Sequence, residues 1–376
     1  MRVVVLTALL ALPLTLGATV PPATAPHASA VRSHRIAALV EAARTEKHFP
    51  AMSVVVTRRG RIAYDHAFGV ADLESGRAAT TATQYRMASV AKPITATAIL
   101  QLVQSGKISL TDSIRKYVPE LPRSYAGVTI RDLLRHTSGV RHYKDSAEFI
   151  STLHCSRLDQ ALRIFASDPL EHRPGEKITY SSWGYVLLGI AVERVSGTSY
   201  FDYVRRHIFA PAGMRHTRLD RIIPVPPQAV GYTTLKNGKV GPAPPLDSSC
   251  RIPAGGLIST AEDIGKFAIA LQDGRLVSRA FVGQMETSQV TRAIIERTLR
   301  GMQVPAGFKP PGMGYGFATE IVGGEKRAYH GGNQPGATAM LYIIPDRSES
   351  VVILTNLDGQ GEALTELARK IAAEAR

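Results

Sequence analysis

A chain of 376 residues, 44% hydrophobic and 20% charged, has apolar material for one large domain or two structural units. Its net charge of +14 comes from basic residues scattered along the chain, with no zinc-finger or RNA-binding signature, which excludes nucleic acid as a partner class. The scatter reads as a solvated surface, with anionic cell-envelope polymers as weak partners at most.

Arg2 precedes an apolar run over residues 3 to about 20, interrupted by Pro13 and followed by small residues. Ala28-Ser29-Ala30 fits a signal-peptidase site, with Ala23-Thr24-Ala25 as second choice. Residues 1–30 are therefore expected to be a signal peptide and 31–376 an exported domain, periplasmic or secreted. A membrane anchor is the rival reading, disfavoured by Pro13 and the shortness of the run. No later segment is long and apolar enough to span a bilayer. Outside the cytoplasm, Cys155 and Cys250 either pair, closing a loop of roughly 95 residues, or stay as two buried thiols. The sequence leaves both open.

Residues 35–47 have the spacing of an amphipathic helix, and 52–58 and 61–70 read as strands turned by Arg59-Gly60. From Ser89 to about Gly274, helical runs at 130–135, 147–154, 158–166, 182–195, 199–208 and 260–272 alternate with loops. Residues 224–253, with Pro226-Pro227, Asn237-Gly238 and Pro244-Pro245, and residues 291–311 are expected to be loops that wall a cleft. Strands return at 317–322, 327–330, 337–344 and 351–355, and a helix over 362–375 closes the chain. The pattern predicts a mixed α/β fold of the α+β kind: an antiparallel sheet flanked by helices and completed by both termini. The sheet part would span about 31–88 and 300–376, and an inserted helical part about 89–299.

Ser89-Val90-Ala91-Lys92-Pro93 opens the most regular helical run, with Ile94, Ala98, Ile99, Leu102 and Val103 apolar and Gly106 ending it. Serine and lysine three residues apart lie on one helix face, so the amine can accept the proton of an otherwise weak nucleophile. The positive end of the helix dipole suits a forming oxyanion and disfavours protonation of Lys92. There is no Gly-x-Ser-x-Gly elbow, no His-Glu-x-x-His and no cluster of metal ligands.

Three segments in order, Ser89-Val90-Ala91-Lys92, Tyr180-Ser181-Ser182 and His330-Gly331-Gly332, resemble the active-site elements of the serine β-lactamase and penicillin-binding protein superfamily. The likeness is closest to its class C branch and to the mitochondrial β-lactamase-like serine proteins. Residues 136–143, 173–176 and 253–260 resemble further family segments, so the likeness runs from about Val40 to the end. It implies that Ser89 is the nucleophile, Lys92 its base, and Tyr180 the group that protonates the leaving group and helps activate the deacylating water. A phenol beside an ammonium is expected to have its pKa lowered. Gly332 would let substrate lie close to the strand, and the N–H of Asn333 would join that of Ser89 in the oxyanion site.

Two positions depart from the commonest family pattern. Ser182 stands where asparagine is usual, and has neither the reach nor the paired donor and acceptor of an amide. His330 stands where lysine is usual, and a neutral imidazole attracts a carboxylate less than an ammonium does. His136 and Ser138 invite a second Ser–His pair, but their likeness to a structural turn favours packing. The expected function is an exported serine hydrolase that cleaves a peptide amide or ester through an acyl-enzyme, without metal or organic cofactor. A D-Ala-D-Ala carboxypeptidase or class C-like β-lactamase is the runner-up. A non-catalytic acylation sensor or filament-forming scaffold is the rival from another class.

Overall fold

The computed structural model describes residues 25–304 and 310–375. Most of the expected signal segment lies outside the described residues, although Ala28-Ser29-Ala30 falls within the first helix. The elements that position the site are helix α1 (Ala25–Glu46), strands β1 (Ala51–Arg58), β2 (Arg61–Asp72) and β3 (Arg77–Ala78), and helices α2 (Ala91–Gln104), α3 (Ser182–Ser196) and α4 (Ala261–Gln272). Strands β4 (Gly312–Met313), β5 (Ala318–Val322), β6 (Glu325–Gln334), β7 (Ala337–Ile344) and β8 (Glu349–Thr355) and helix α5 (Gly361–Glu374) complete them.

The eight strands form one antiparallel sheet in the order β3-β2-β1-β8-β7-β6-β5-β4. β1 pairs with β8, Val54 opposite Ile353, so the two ends of the chain do complete one sheet. Because side chains alternate across a strand, the apolar runs of the central strands are divided between two cores. Met52, Val54, Val56, Met340, Tyr342, Val351 and Ile353 meet Ile36 and Val40 of α1 and Leu364, Leu367 and Ile371 of α5. Val55, Ala339, Leu341, Val352 and Leu354 point the other way, into the large core shared with the helical part. Each such aliphatic side chain contributes about 1.5–3 kcal/mol on burial.

Within the helical part, α2 is buried all round, from Ala91 to Leu100 and at Leu102. A helix apolar on every side belongs inside a core rather than at its edge. α3 is capped by Ser181, whose hydroxyl accepts from the Gly184 N–H at 2.9 Å, and ends at Gly197 in the left-handed conformation. Gly189 of α3 lets Pro253 approach so closely that a Cβ there would lie 2.1 Å from the proline ring. That contact brings the turn Ile252–Gly255 down beside α2.

Several expectations need correction. The helix expected over 147–154 is only Ser146–Phe149, because the Ser151 hydroxyl accepts from the Leu153 N–H and turns the chain out of the helix. The run at 158–166 divides into a 3-10 turn Leu158–Ala161 and helix Leu162–Phe165. The run at 199–208 continues through a wider turn to Ala212 and stops at Gly213, in the left-handed region. The supposed loop 224–253 contains a small hairpin, Tyr232–Thr234 with Val240–Pro242, around Asn237-Gly238. Residues 292–299 form an amphipathic helix rather than a loop, with Thr291 as its cap. β6 runs on past His330 to Gln334, since its pairing with β7 persists through the two glycines.

Cys155 and Cys250 form a disulfide with a sequence separation of 95, pinning residues 149–155 to the turn Ser249–Arg251. Replacing both cysteines by serine should cost about 2–5 kcal/mol, read as a lower unfolding midpoint in non-reducing denaturant titration. An unchanged midpoint would mean the bond adds nothing to stability.

Candidate active site

Ser89 sits in the 3-10 turn Ala88–Val90 that leads into α2. Ala88 before it has φ +45, an uncommon conformation for a residue with a Cβ, held here by complete burial. One turn further on, Lys92 is 0% exposed. Its Nζ lies 2.9 Å from Ser89 Oγ, 2.9 Å from the Ala254 carbonyl oxygen and 3.2 Å from Ser182 Oγ. Burial pushes the Lys92 pKa well down from its ordinary value, toward the neutral amine. Desolvation is the cause. A neutral amine has two N–H donors and one lone pair. The donors fit Ala254 O and Ser182 Oγ, which leaves the lone pair for the Ser89 hydroxyl.

Tyr180 lies two residues before α3, its hydroxyl close to the side chains of Ser89 and Ser182. The Lys92 Nζ stands 4.8 Å from the centre of its ring. Burial raises the phenol's pKa, the reverse of the expected lowering. The expectation assumed an ammonium beside the ring, and burial makes that group a neutral amine. Tyr180 therefore keeps its proton at neutral pH.

Three imidazoles surround the same ring, with centroids 4.5 Å (His136), 5.2 Å (His142) and 6.1 Å (His330) away. His136 Nδ1 accepts from the Ser181 N–H and His142 Nδ1 from the Ser182 N–H, which places their protons on Nε2. His330 Nδ1 donates to the Gly331 carbonyl at 2.7 Å. Burial lowers the pKa of His136 strongly, that of His142 to about 4 and that of His330 to about 3. His136 thus positions Tyr180 and the start of α3. Ser138 Oγ accepts from the Val140 N–H, so this segment is a packed turn and not a second Ser–His pair.

β6 lies across the Ser89 turn. A Cβ on Gly332 would stand 2.6 Å from the Met87 carbonyl oxygen and 2.9 Å from the Ser89 nitrogen, so only glycine permits this approach. Asn333 follows, its side-chain oxygen accepting from the Gly359 N–H at 2.6 Å. A cavity of about 340 Å³ is lined by Ser89, Tyr180, Ser182, Gly332 and Asn333 together with His142, Tyr143, Phe149 and Arg251. His330 does not line it. With His136, Tyr180 and Phe317 it lines a neighbouring cavity of about 220 Å³. A wider cavity of about 920 Å³, lined by Lys107, Asp112, Arg131 and Tyr315 among others, holds none of these residues.

The sequence thus led to Ser89, Lys92, Tyr180, Ser182, Gly332 and Asn333, all of which converge. It missed Phe149 and Arg251, and took His142 only as part of a packing segment. The one signal for Arg251 was its place between Cys250 and the family-like segment that begins at Pro253.

A family model described as Beta-lactamase matches residues 36–376. Protein flp of Staphylococcus aureus (strain MW2) is 24% identical over 331 residues, 87% of this chain and 63% of that protein. The chain thus spans less than two thirds of the length of that relative. The octameric penicillin-binding protein homologue from Pyrococcus abyssi superposes with a TM-score of 0.78 at 27% identity, covering 91% of this chain and 76% of that one. A D-stereospecific amidohydrolase from Streptomyces sp. superposes with a TM-score of 0.72 at 25% identity, covering 89% and 98%.

The buried histidines set a pH dependence. His142 and His330 titrate at about 4 and about 3 in the folded protein against 6.5 in a free chain, so between those values the unfolded chain binds more protons. The share of stability that these two histidines carry should be full above pH 6.5 and be lost as pH drops toward 3. The single tryptophan, Trp183, stacked on Phe165 at 5.0 Å, reports unfolding by fluorescence. His142→Gln should show a shallower acid slope than the wild type, and an equal slope would remove His142 from this account. Fold, site geometry and the family match over residues 36–376 agree: this chain belongs to the β-lactamase family.

Proposed function

We propose that the chain is a serine hydrolase that cleaves an amide or ester through a covalent acyl-enzyme. The observation that carries this reading is the buried Lys92 amine 2.9 Å from Ser89 Oγ, with its two N–H groups already engaged. Lys92 takes the Ser89 proton as Oγ attacks the substrate carbonyl. The N–H groups of Ser89 and Asn333 hold the tetrahedral oxyanion, an arrangement favoured by the close approach that Gly332 allows. Tyr180, whose hydroxyl stands near Ser89 and Ser182, relays the proton to the leaving amine or alcohol. Water then attacks the acyl carbonyl, returning a proton by the same route, and frees the acid.

A D-configured amide is the second reading of the substrate, favoured by the similarity to the D-stereospecific amidohydrolase. Export is part of the proposal. It is supported by the apolar N-terminal run with its Ala-x-Ala site and by the Cys155–Cys250 disulfide, a bond of oxidising compartments. No helix among the described residues is long and apolar enough to cross a membrane.

Ser89→Ala should abolish labelling by a fluorophosphonate probe and lower ester turnover at least ~10³-fold, while Ser138→Ala keeps the labelling. Labelling that survives Ser89→Ala refutes the nucleophile assignment, and labelling without turnover favours an acylation sensor. Selectivity has its own test. Ser182 offers no amide clamp and His330 no positive anchor, each a missing match of ~1–3 kcal/mol. Cephalosporin turnover should therefore trail peptide or ester hydrolysis by at least about tenfold in kcat/KM. The pair Ser182→Asn and His330→Lys should narrow that gap. A wild type that prefers cephalosporins contradicts this selectivity.

A further inference from the structure

Three arginines among the described residues are buried: Arg141, Arg251 and Arg327. Arg141 is bonded to Glu148 and Asp168, and Arg327 to Glu325. Arg251 is 5% exposed, and no carboxylate among the described residues pairs with it. One of its terminal nitrogens donates to the Phe149 carbonyl at 2.9 Å, and its guanidinium carbon stands 5.0 Å from the centre of the Tyr143 ring. Its Nε is buried without a hydrogen-bond partner. A guanidinium kept from water with one carbonyl and one aromatic face is under-partnered, since a buried charge needs a counter-charge and filled donors.

The place of this side chain gives the deficit a meaning. Arg251 lines the 340 Å³ cavity that Ser89 opens onto, and among the described residues it is the only one of that lining with a permanent charge. Among the described residues no acidic side chain lines the cavity, and His142, which does, is held neutral there. Arg251 is also held firmly. The preceding residue, Cys250, is locked to Cys155, and the following turn carries the Ala254 carbonyl that accepts from Lys92. The guanidinium is thus fixed relative to the nucleophile, and its planar fork matches a carboxylate.

We infer that the substrate cleaved at Ser89 carries a carboxylate, and that Arg251 binds it. The inference rests on the hydrolase reading above and names the substrate class of the same site. With His330 neutral and lining the neighbouring cavity, Arg251 is the cation left to meet an anion in the cavity of Ser89.

Two pairs of chromogenic esters test it, each pair differing only by a charge. In the first, mono-p-nitrophenyl glutarate is set against its methyl ester, which places the carboxylate on the acyl side. In the second, 5-pentanoyloxy-2-nitrobenzoate is set against p-nitrophenyl pentanoate, which places it on the leaving group. The wild type should favour the anionic member of one pair by about tenfold or more in kcat/KM, and which pair it is locates the carboxylate. Added salt should erode that preference in the wild type, a readout that needs no variant. Arg251→Leu should bring the ratio toward one, and Arg251→Lys should retain part of it. Turnover with no anionic preference in either pair, or a preference that survives Arg251→Leu, overturns the inference and leaves the hydrolase reading intact. No turnover of any ester, together with no labelling of Ser89, overturns both.

Discussion

Lys92 is withdrawn from water on every side, so its amine must find all of its partners inside the protein. It finds three: the Ser89 hydroxyl, the Ser182 hydroxyl and the Ala254 carbonyl. Each comes from a different part of the chain, and the fold can be read as the means of bringing them together. α2 carries the lysine through the middle of the large core, α3 supplies Ser182, and Gly189 admits the turn that bears Ala254. The cost of desolvating the amine is met by leaving it neutral, which is the state a proton acceptor requires.

The same logic extends outward. Tyr180 is packed among three imidazoles whose burial keeps them uncharged, so its hydroxyl faces a neutral surround and holds its proton. In the proposed reaction this separates roles: the amine accepts, the phenol relays, and no standing charge beside Ser89 competes with the oxyanion. The sheet supplies the other wall. β6 reaches Ser89 because Gly332 has no side chain to collide with the turn, and Asn333 is tethered through its side chain to the start of the α5 segment. Arg251, the one permanent charge that the described residues place on the cavity wall, stands apart from this neutral cluster, where a disulfide and a backbone carbonyl hold it.

How far the sequence could be read depended on the range of each interaction. Ser89 and Lys92 were legible because their relation is local, one helical turn. The central strands were legible because two-sided burial writes continuous apolar runs into 51–58, 337–344 and 349–355. Tyr180 and Asn333 needed the resemblance, since nothing nearby in the chain marks a tyrosine 91 residues after the lysine's serine neighbour as its partner. The phenol's raised pKa was misread because it follows from the burial of Tyr180 itself, which only the tertiary structure sets. Phe149 and Arg251 were invisible for the same reason. Their place at the cavity comes from the Cys155–Cys250 bond and the Phe149 carbonyl, contacts between segments about a hundred residues apart. The helix at 292–299 was missed because much of it is charged and it buries little beyond Ile294.

The central claim is that Lys92 rests as a neutral amine beside Ser89. An NMR titration of isotopically labelled lysine side chains, with Lys92 assigned by its loss in Lys92→Met, measures this in the folded protein. The account predicts that Lys92 titrates well below the ordinary lysine value of about 10.5. A Lys92 midpoint at or above 10.5 would show an ammonium at rest, and would contradict the account at its root.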